Sequence, residues 1–145
     1  MLTRLVTNIR LARWPGRLEC VRLEPEIILD GAHNPSGALA LASYIQRFYA
    51  GRRVWLVYGA MRDKAVSEVA SLLFPLAHNV ILTAPCNTRA VRPEVVRTLV
   101  IHPSVQVTES LTGALARLKE ASPGDAVFIT GSLFLVGEAR ALLVQ

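Results

Sequence analysis

The sequence has no apolar run near the roughly 20 residues that a membrane-spanning helix requires, so no membrane partner is expected. Cysteine is nearly absent. Cys20 and Cys86 stand alone at no metal or redox spacing. Two isolated thiols are expected as buried, reduced side chains, which points to a reducing compartment, the cytoplasm. The three histidines, His33, His78 and His102, form no HxxxH pair and have no acid-rich partner pattern, which argues against a metal site.

Familiar catalytic signatures are also missing. No Gly-Lys-Ser or Gly-Lys-Thr occurs, so there is no phosphate-cradling P-loop, and the dinucleotide fingerprint GxGxxG is absent. The chain by itself is not expected to grip a triphosphate in the usual way. Gly131-Ser132 lacks the GxSxG elbow of a serine hydrolase, so nucleophilic catalysis has no support. The net charge of +5 comes from arginines scattered along the chain, with no block of like charge. Nucleic-acid binding would need a basic stripe with exposed aromatics, whereas Trp55, Tyr58 and Phe74 lie in apparent core runs.

What is present is a core. With 145 residues and 52% hydrophobic content, the chain reads as one domain. Leu18 to Leu23 and Glu26 to Asp30 read as short strands across a Glu24-Pro25 turn. Asn34 is then a good N-cap and Pro35 a good first helical residue, with Ala38, Leu41, Ala42, Ile45, Phe48 and Tyr49 as one apolar stripe up to Gly51. Val54 to Tyr58, written VWLVY, has the continuous apolar character of a strand buried on both faces, and a helix ending near Pro75 follows. Val80 to Thr83, Val105 to Thr108 and Ala126 to Thr130 repeat the pattern, with helices beginning near Pro93, Ser110 and Ser132.

Strands alternating with helices imply an α/β fold, Rossmann-like, with a mainly parallel sheet and helices on both faces. In such sheets ligands bind outside the carboxyl ends of the strands. The loops that matter are therefore those of Asp30 to Asn34, Gly59 to Lys64, Pro85 to Arg92, and Thr130 to Ser132.

Five ordered stretches on or beside these loops carry a family resemblance: Trp14-Pro-Gly-Arg17-Leu-Glu19, Leu29-Asp-Gly-Ala-His-Asn-Pro35, Met61-Arg-Asp-Lys64, Arg89-Ala90, and Thr130-Gly-Ser-Leu-Phe-Leu-Val-Gly137. With these the chain resembles the C-terminal domain of folylpolyglutamate synthase and dihydrofolate synthase, in the Mur ligase superfamily. The resemblance implies residues 14–145 as a glutamate-ligase C-terminal domain, and residues 1–13 as the remnant of a connection from a P-loop ATPase domain. The opening MLTRLVTNIRLARW also mimics a mitochondrial presequence, being basic and free of acids. Leu2, Leu5, Val6 and Ile9 instead fit one face of a short helix, the reading preferred here.

The family reaction, by the same resemblance, is ATP-dependent amide formation. ATP phosphorylates a carboxylate of the folate or dihydropteroate, and the amine of L-glutamate attacks the acyl phosphate. ATP is then the co-substrate, and Mg²⁺ is expected in the full enzyme with its ligands outside this chain, so the isolated chain is expected to be inactive. Arg17 matches the arginine that reaches the ATP phosphates and Asp30 the acid that contacts the nucleotide. His33 and Ser132 match positions that hold the incoming glutamate. Read without the resemblance, Arg17 is a surface arginine after a Pro-Gly turn, Asp30 a turn-forming acid, His33 a hydrogen-bonded loop histidine and Ser132 an N-cap. Asn34 is expected only to cap. Asp63 and Lys64 repeat a family motif whose following acid is replaced by Ala65, so they are expected to cap the next helix. The alternative to a ligase domain is a free-standing, non-catalytic module that binds a nucleotide or another anion.

Overall fold

Five consecutive apolar residues, Val54–Tyr58, form a strand whose every side chain is buried, and the rest of the fold is arranged around it. The computed structural model describes residues 16–62 and 65–144, so the expectations for residues 1–15, Asp63 and Lys64 lie outside the described residues. The strands are β1 (Glu19–Leu23), β2 (Glu26–Asp30), β3 (Val54–Tyr58), β4 (Asn79–Leu82), β5 (Val105–Val107) and β6 (Ala126–Thr130). Helices α1 (Pro35–Phe48), α2 (Val66–Leu73), α3 (Pro93–Leu99), α4 (Leu111–Arg117) and α5 (Leu133–Leu143) follow β2, β3, β4, β5 and β6 respectively.

The sheet order is β1-β2-β6-β3-β4-β5. All pairings are parallel except the one between β1 and β2, which is antiparallel. Side chains alternate between two cores, as the two-residue strand period requires. Ile28, Leu56, Phe128 and Leu82 pack under α1, α2 and α3, while Leu29, Val57, Ile129 and Ile81 pack under α4 and α5. The α/β reading with helices on both faces is borne out.

The differences are local. The first strand begins at Glu19 and not Leu18, because Leu18 has φ 49° and belongs to the preceding turn. Asn79 replaces Thr83 at the ends of β4, and β5 stops at Val107. The helix toward Pro75 ends at Leu73 and passes into a 3₁₀ turn over Phe74–Leu76. Cys86, expected to be buried, is exposed on the loop after β4, and Cys20 is half-buried.

Helix α1 starts as expected, with the Asn34 carboxamide accepting from Gly37 N–H at 2.8 Å. Its stripe differs at the end. The backbone leaves helical geometry at Tyr49, whose ring packs edge-on against Phe128 at 5.0 Å, whereas Phe48 is left 49% exposed. The Tyr49 hydroxyl donates to Glu26 at 2.7 Å, and Arg52 pairs with the same buried carboxylate at 2.8 Å. A hydrogen bond to a charged acceptor typically contributes about 1.5–3 kcal/mol, so Tyr49→Phe is expected to lower unfolding free energy by about that amount in urea titration. A loss under about 0.5 kcal/mol would show that the remaining partners satisfy Glu26.

Candidate functional site

Parallel pairing brings three strand ends into line. Asp30 of β2 is opposite Thr130 of β6, which is opposite Tyr58 of β3, so the loops that follow leave the same edge of the sheet. They are then laced together. The Ala32 carbonyl accepts from Gly131 N–H at 3.1 Å and from the Thr130 hydroxyl at 3.4 Å. Gly31 allows this closeness, since a Cβ there would overlap the Leu133 side chain.

Asp30 ends its strand with both carboxylate oxygens engaged. One accepts from Ala32 N–H at 2.9 Å, and the other from Leu18 N–H at 3.1 Å. Burial pushes this carboxyl above its ordinary range, against the opposing pull of the two N–H groups and of the Arg17 charge. Each oxygen keeps further lone-pair capacity for a ligand. His33 stands next to the carbonyl of Gly31, with Nδ1 at 2.8 Å. A carbonyl only accepts, so Nδ1 carries the proton, and Nε2, without a hydrogen bond among the described residues, is an acceptor when the ring is neutral and a donor when it is charged.

Arg17, Asp30 and His33 line one cavity of about 410 Å³, together with Asn34, Ser36 and Leu133. Arg17 is exposed and its guanidinium has no hydrogen-bond partner among the described residues. Ser132 does not line this cavity. It is 2% exposed and its hydroxyl accepts from Phe134 N–H at 3.0 Å, which makes it the N-cap of α5. The structure thus brings Arg17, Asp30 and His33 together and sets Ser132 just beneath, at the start of the helix whose Leu133 forms part of the wall.

A larger hollow of about 760 Å³ lies between the start of α2 and α3, lined by Arg62, Val66, Glu68, Val91, Val95 and Leu99. That hollow also carries Arg62, Arg92 and Glu68, but the smaller cavity lies at the strand ends and sets an imidazole beside its cation and acid. The chemistry favours the smaller one. Among the described residues, no group of three or more His, Cys, Asp or Glu is arranged to hold a metal ion. A resident Mg²⁺ does not fit the cavity, where Asp30 is the single carboxylate and already serves two N–H groups.

Two residues behind the cavity had no role in the sequence reading. Glu19 is buried, accepts from Gly16 N–H at 2.9 Å, and pairs with Arg140 of α5 at 3.1 Å. In the sequence Glu19 stands only as the last residue of the stretch Trp14 to Glu19, with no role of its own, and Arg140 carries no signal.

A mainly parallel sheet with charged loops gathered at its carboxyl edge defines an α/β domain of the Rossmann-like kind. Residues 16–133 match the model of the Mur ligase, glutamate ligase domain, and the chain belongs to that family. The resemblance to folylpolyglutamate synthase and dihydrofolate synthase is also borne out. The chain is 36% identical over 137 residues to a probable bifunctional folylpolyglutamate synthase/dihydropteroate synthase of Haloferax volcanii, covering 92% of this chain and 16% of the relative. It is 32% identical over 147 residues to the dihydrofolate synthase/folylpolyglutamate synthase of Mycobacterium tuberculosis, covering 88% of this chain and 30% of that one. A solved structure of Mycobacterium tuberculosis folylpolyglutamate synthase complexed with ADP and AMPPCP superposes with a TM-score of 0.82 at 29% identity, over 90% of this chain and 32% of the other. The chain therefore spans a third or less of these three proteins.

Proposed function

We propose that this domain supplies the glutamate side and part of the nucleotide side of an ATP-dependent ligase joining L-glutamate to a folate or dihydropteroate. The observation that carries the reading is the cavity in which Arg17, Asp30 and His33 meet. In the proposed reaction a substrate carboxylate takes the terminal phosphoryl group of ATP, releasing ADP. The glutamate nitrogen then attacks the acyl carbon, forms the amide and expels phosphate.

Both steps crowd anions, and this chain answers with oriented donors. Arg17 carries a planar guanidinium with no hydrogen-bond partner among the described residues, suited to phosphate oxygens. Asp30 retains acceptor capacity for nucleotide hydroxyls while its two N–H bonds fix its direction. His33, protonated at Nδ1, offers Nε2 to glutamate: the neutral ring accepts from the ammonium, and the charged ring donates to a carboxylate. Ser132 works through the start of α5, where first-turn N–H groups and the helix dipole favour an anion. The P-loop and the Mg²⁺ ligands belong to a partner ATPase domain.

The competing reading is a non-catalytic anion-binding module, favoured by the fact that Asp30 and Ser132 are each engaged by backbone N–H groups. Turnover separates the two. The isolated chain, given ATP, Mg²⁺, glutamate and dihydropteroate, is expected to release no ADP and form no conjugate. Joined to its P-loop domain, it is expected to form the glutamyl conjugate with equal ADP. Conjugate formation by the contaminant-free chain would overturn this division of labour, and an inert two-domain protein would favour the binding module.

A further inference from the structure

The turn Gly16–Leu18 has an unusual backbone. Gly16 has φ 76°, and Leu18 has φ 49° although it carries a side chain. A leucine in the left-handed region is disfavoured, so its surroundings must hold it there. Three hydrogen bonds do so. Gly16 N–H donates to Glu19 at 2.9 Å, the Gly16 carbonyl accepts from Gly31 N–H at 2.7 Å, and Leu18 N–H donates to Asp30 at 3.1 Å. Arg17 is the residue between them, and its guanidinium makes no hydrogen bond among the described residues.

One of these three anchors is itself anchored. Glu19 is 6% exposed, and a buried carboxylate needs a cationic or N–H partner. Arg140 Nε lies at 3.1 and 3.2 Å from its two oxygens, which fixes the carboxylate plane so that one oxygen faces Gly16 N–H. Arg140 belongs to the helix that Ser132 caps. Ser132, Val136 and Arg140 recur every four residues and so lie along one ridge of α5. Val136 abuts the turn, since a Cβ on Gly16 would come within 3.1 Å of it.

We propose that Glu19 and Arg140 are positioning residues, which clamp the Gly16–Leu18 turn to α5 and thereby hold Arg17 in register with the Ser132 end of that helix. The proposal rests on the ligase reading above. It makes the phosphate-side cation and the glutamate-side helix start parts of one rigid unit, so that the two half-sites keep their spacing when the nucleotide arrives. An apolar pair would fill the same space without fixing the direction of the Gly16 N–H.

A double-mutant cycle in the two-domain enzyme tests it. Glu19→Gln and Arg140→Met are each expected to lower kcat/KM for ATP about tenfold when Arg17 is present, and by no more than about twofold when Arg17 is already alanine. Arg140→Lys, which keeps the charge, is expected to recover part of the loss. Equal losses in both backgrounds would mean a merely structural role and would overturn the proposal. The chain itself gives a second readout. In Arg140→Met, amide exchange at Gly31 and Leu18 is expected to accelerate about tenfold or more while β6 stays protected. Unchanged exchange at both amides would also overturn it. If Arg17→Ala alone leaves ATP kinetics intact, the functional assignment of Arg17 fails, and the exchange rates still decide whether the pair holds the turn.

Discussion

Gly131→Ala is expected to destabilise the domain by about 3 kcal/mol or more, a large part of the roughly 5–15 kcal/mol that holds an ordinary domain together. Gly131 has φ 111°, where a side chain is strained. Space is the second obstacle. A Cβ there would overlap the Gly59 carbonyl oxygen and come within 2.8 and 2.9 Å of the Tyr58 ring. That ring is 1% exposed and packed edge-on against Phe74 at 5.3 Å, so it has nowhere to move. The Gly59 oxygen belongs to backbone, and Gly59 N–H is bonded to the Thr130 carbonyl at 3.2 Å. The methyl must therefore part the ends of β3 and β6, and β6 leads directly into Ser132 and α5. Urea titration should show a lower midpoint at unchanged slope. Gly137→Ala is the control: it lies within α5 with open space around its Cβ, and is expected to gain about 0.5–1 kcal/mol from helix propensity. If Gly131→Ala stayed within about 0.5 kcal/mol of the parent, the close approach of β6 and β3 would be wrong.

The strands that form this close approach were legible because burial on two faces leaves a mark in sequence. Val54–Tyr58 and Ala126–Thr130 are apolar almost throughout, and they lie side by side at the centre of the sheet. Helix starts were legible for a related reason, since Asn34, Ser110 and Ser132 each carry an oxygen that accepts a first-turn N–H. Sheet order was not legible. The short Glu24-Pro25 turn fits an antiparallel β1-β2 pair, but nothing in ECVRL says that β1 lies at the edge or that β6 enters between β2 and β3. Phe48 was misplaced for the same kind of reason: periodicity carries a stripe forward, but the place where the backbone leaves the helix decides whether Phe48 or Tyr49 turns inward.

At the site, the residues at strand ends could be named from position and resemblance, but not their internal bonds. Asp30 reads as a nucleotide-facing acid, and the structure adds that it also holds Leu18 and Ala32. Ser132 reads as a glutamate contact, and the structure adds that its hydroxyl is turned inward as a cap. Glu19 and Arg140 are 121 positions apart, and no local pattern pairs them. Charge pairs between distant elements become visible only once the sheet order places β1 beside β2 and α5 over both.

If the ligase reading holds, substitutions in the chain joined to its P-loop domain should divide by task, and the divided result is the second large effect expected. His33→Ala is expected to raise the glutamate KM, or lower kcat/KM for glutamate, about ten- to a hundredfold, because losing one hydrogen bond to a charged partner costs about 1.5–3 kcal/mol. Ser132→Ala is expected to act in the same direction through a different route. Its hydroxyl already serves Phe134 N–H, so removal frees the first turn of α5 and disorders the donors that the ligase reading turns toward glutamate. Arg17→Ala is expected to lower kcat/KM for ATP over a similar range while the glutamate KM holds, since its guanidinium makes no hydrogen bond among the described residues. Asp30→Ala differs from Arg17→Ala in one respect. It also releases Leu18 and Ala32 N–H, so ATP use should fall together with some loss of stability, whereas Arg17→Ala should leave the urea midpoint unchanged. Steady-state kinetics with each substrate varied at saturation of the others separates these outcomes. Should all four substitutions leave both glutamate and ATP kinetics at parent values, the cavity at the ends of β2 and β6 would not be the site, and the larger hollow between α2 and α3 would be the next place to look.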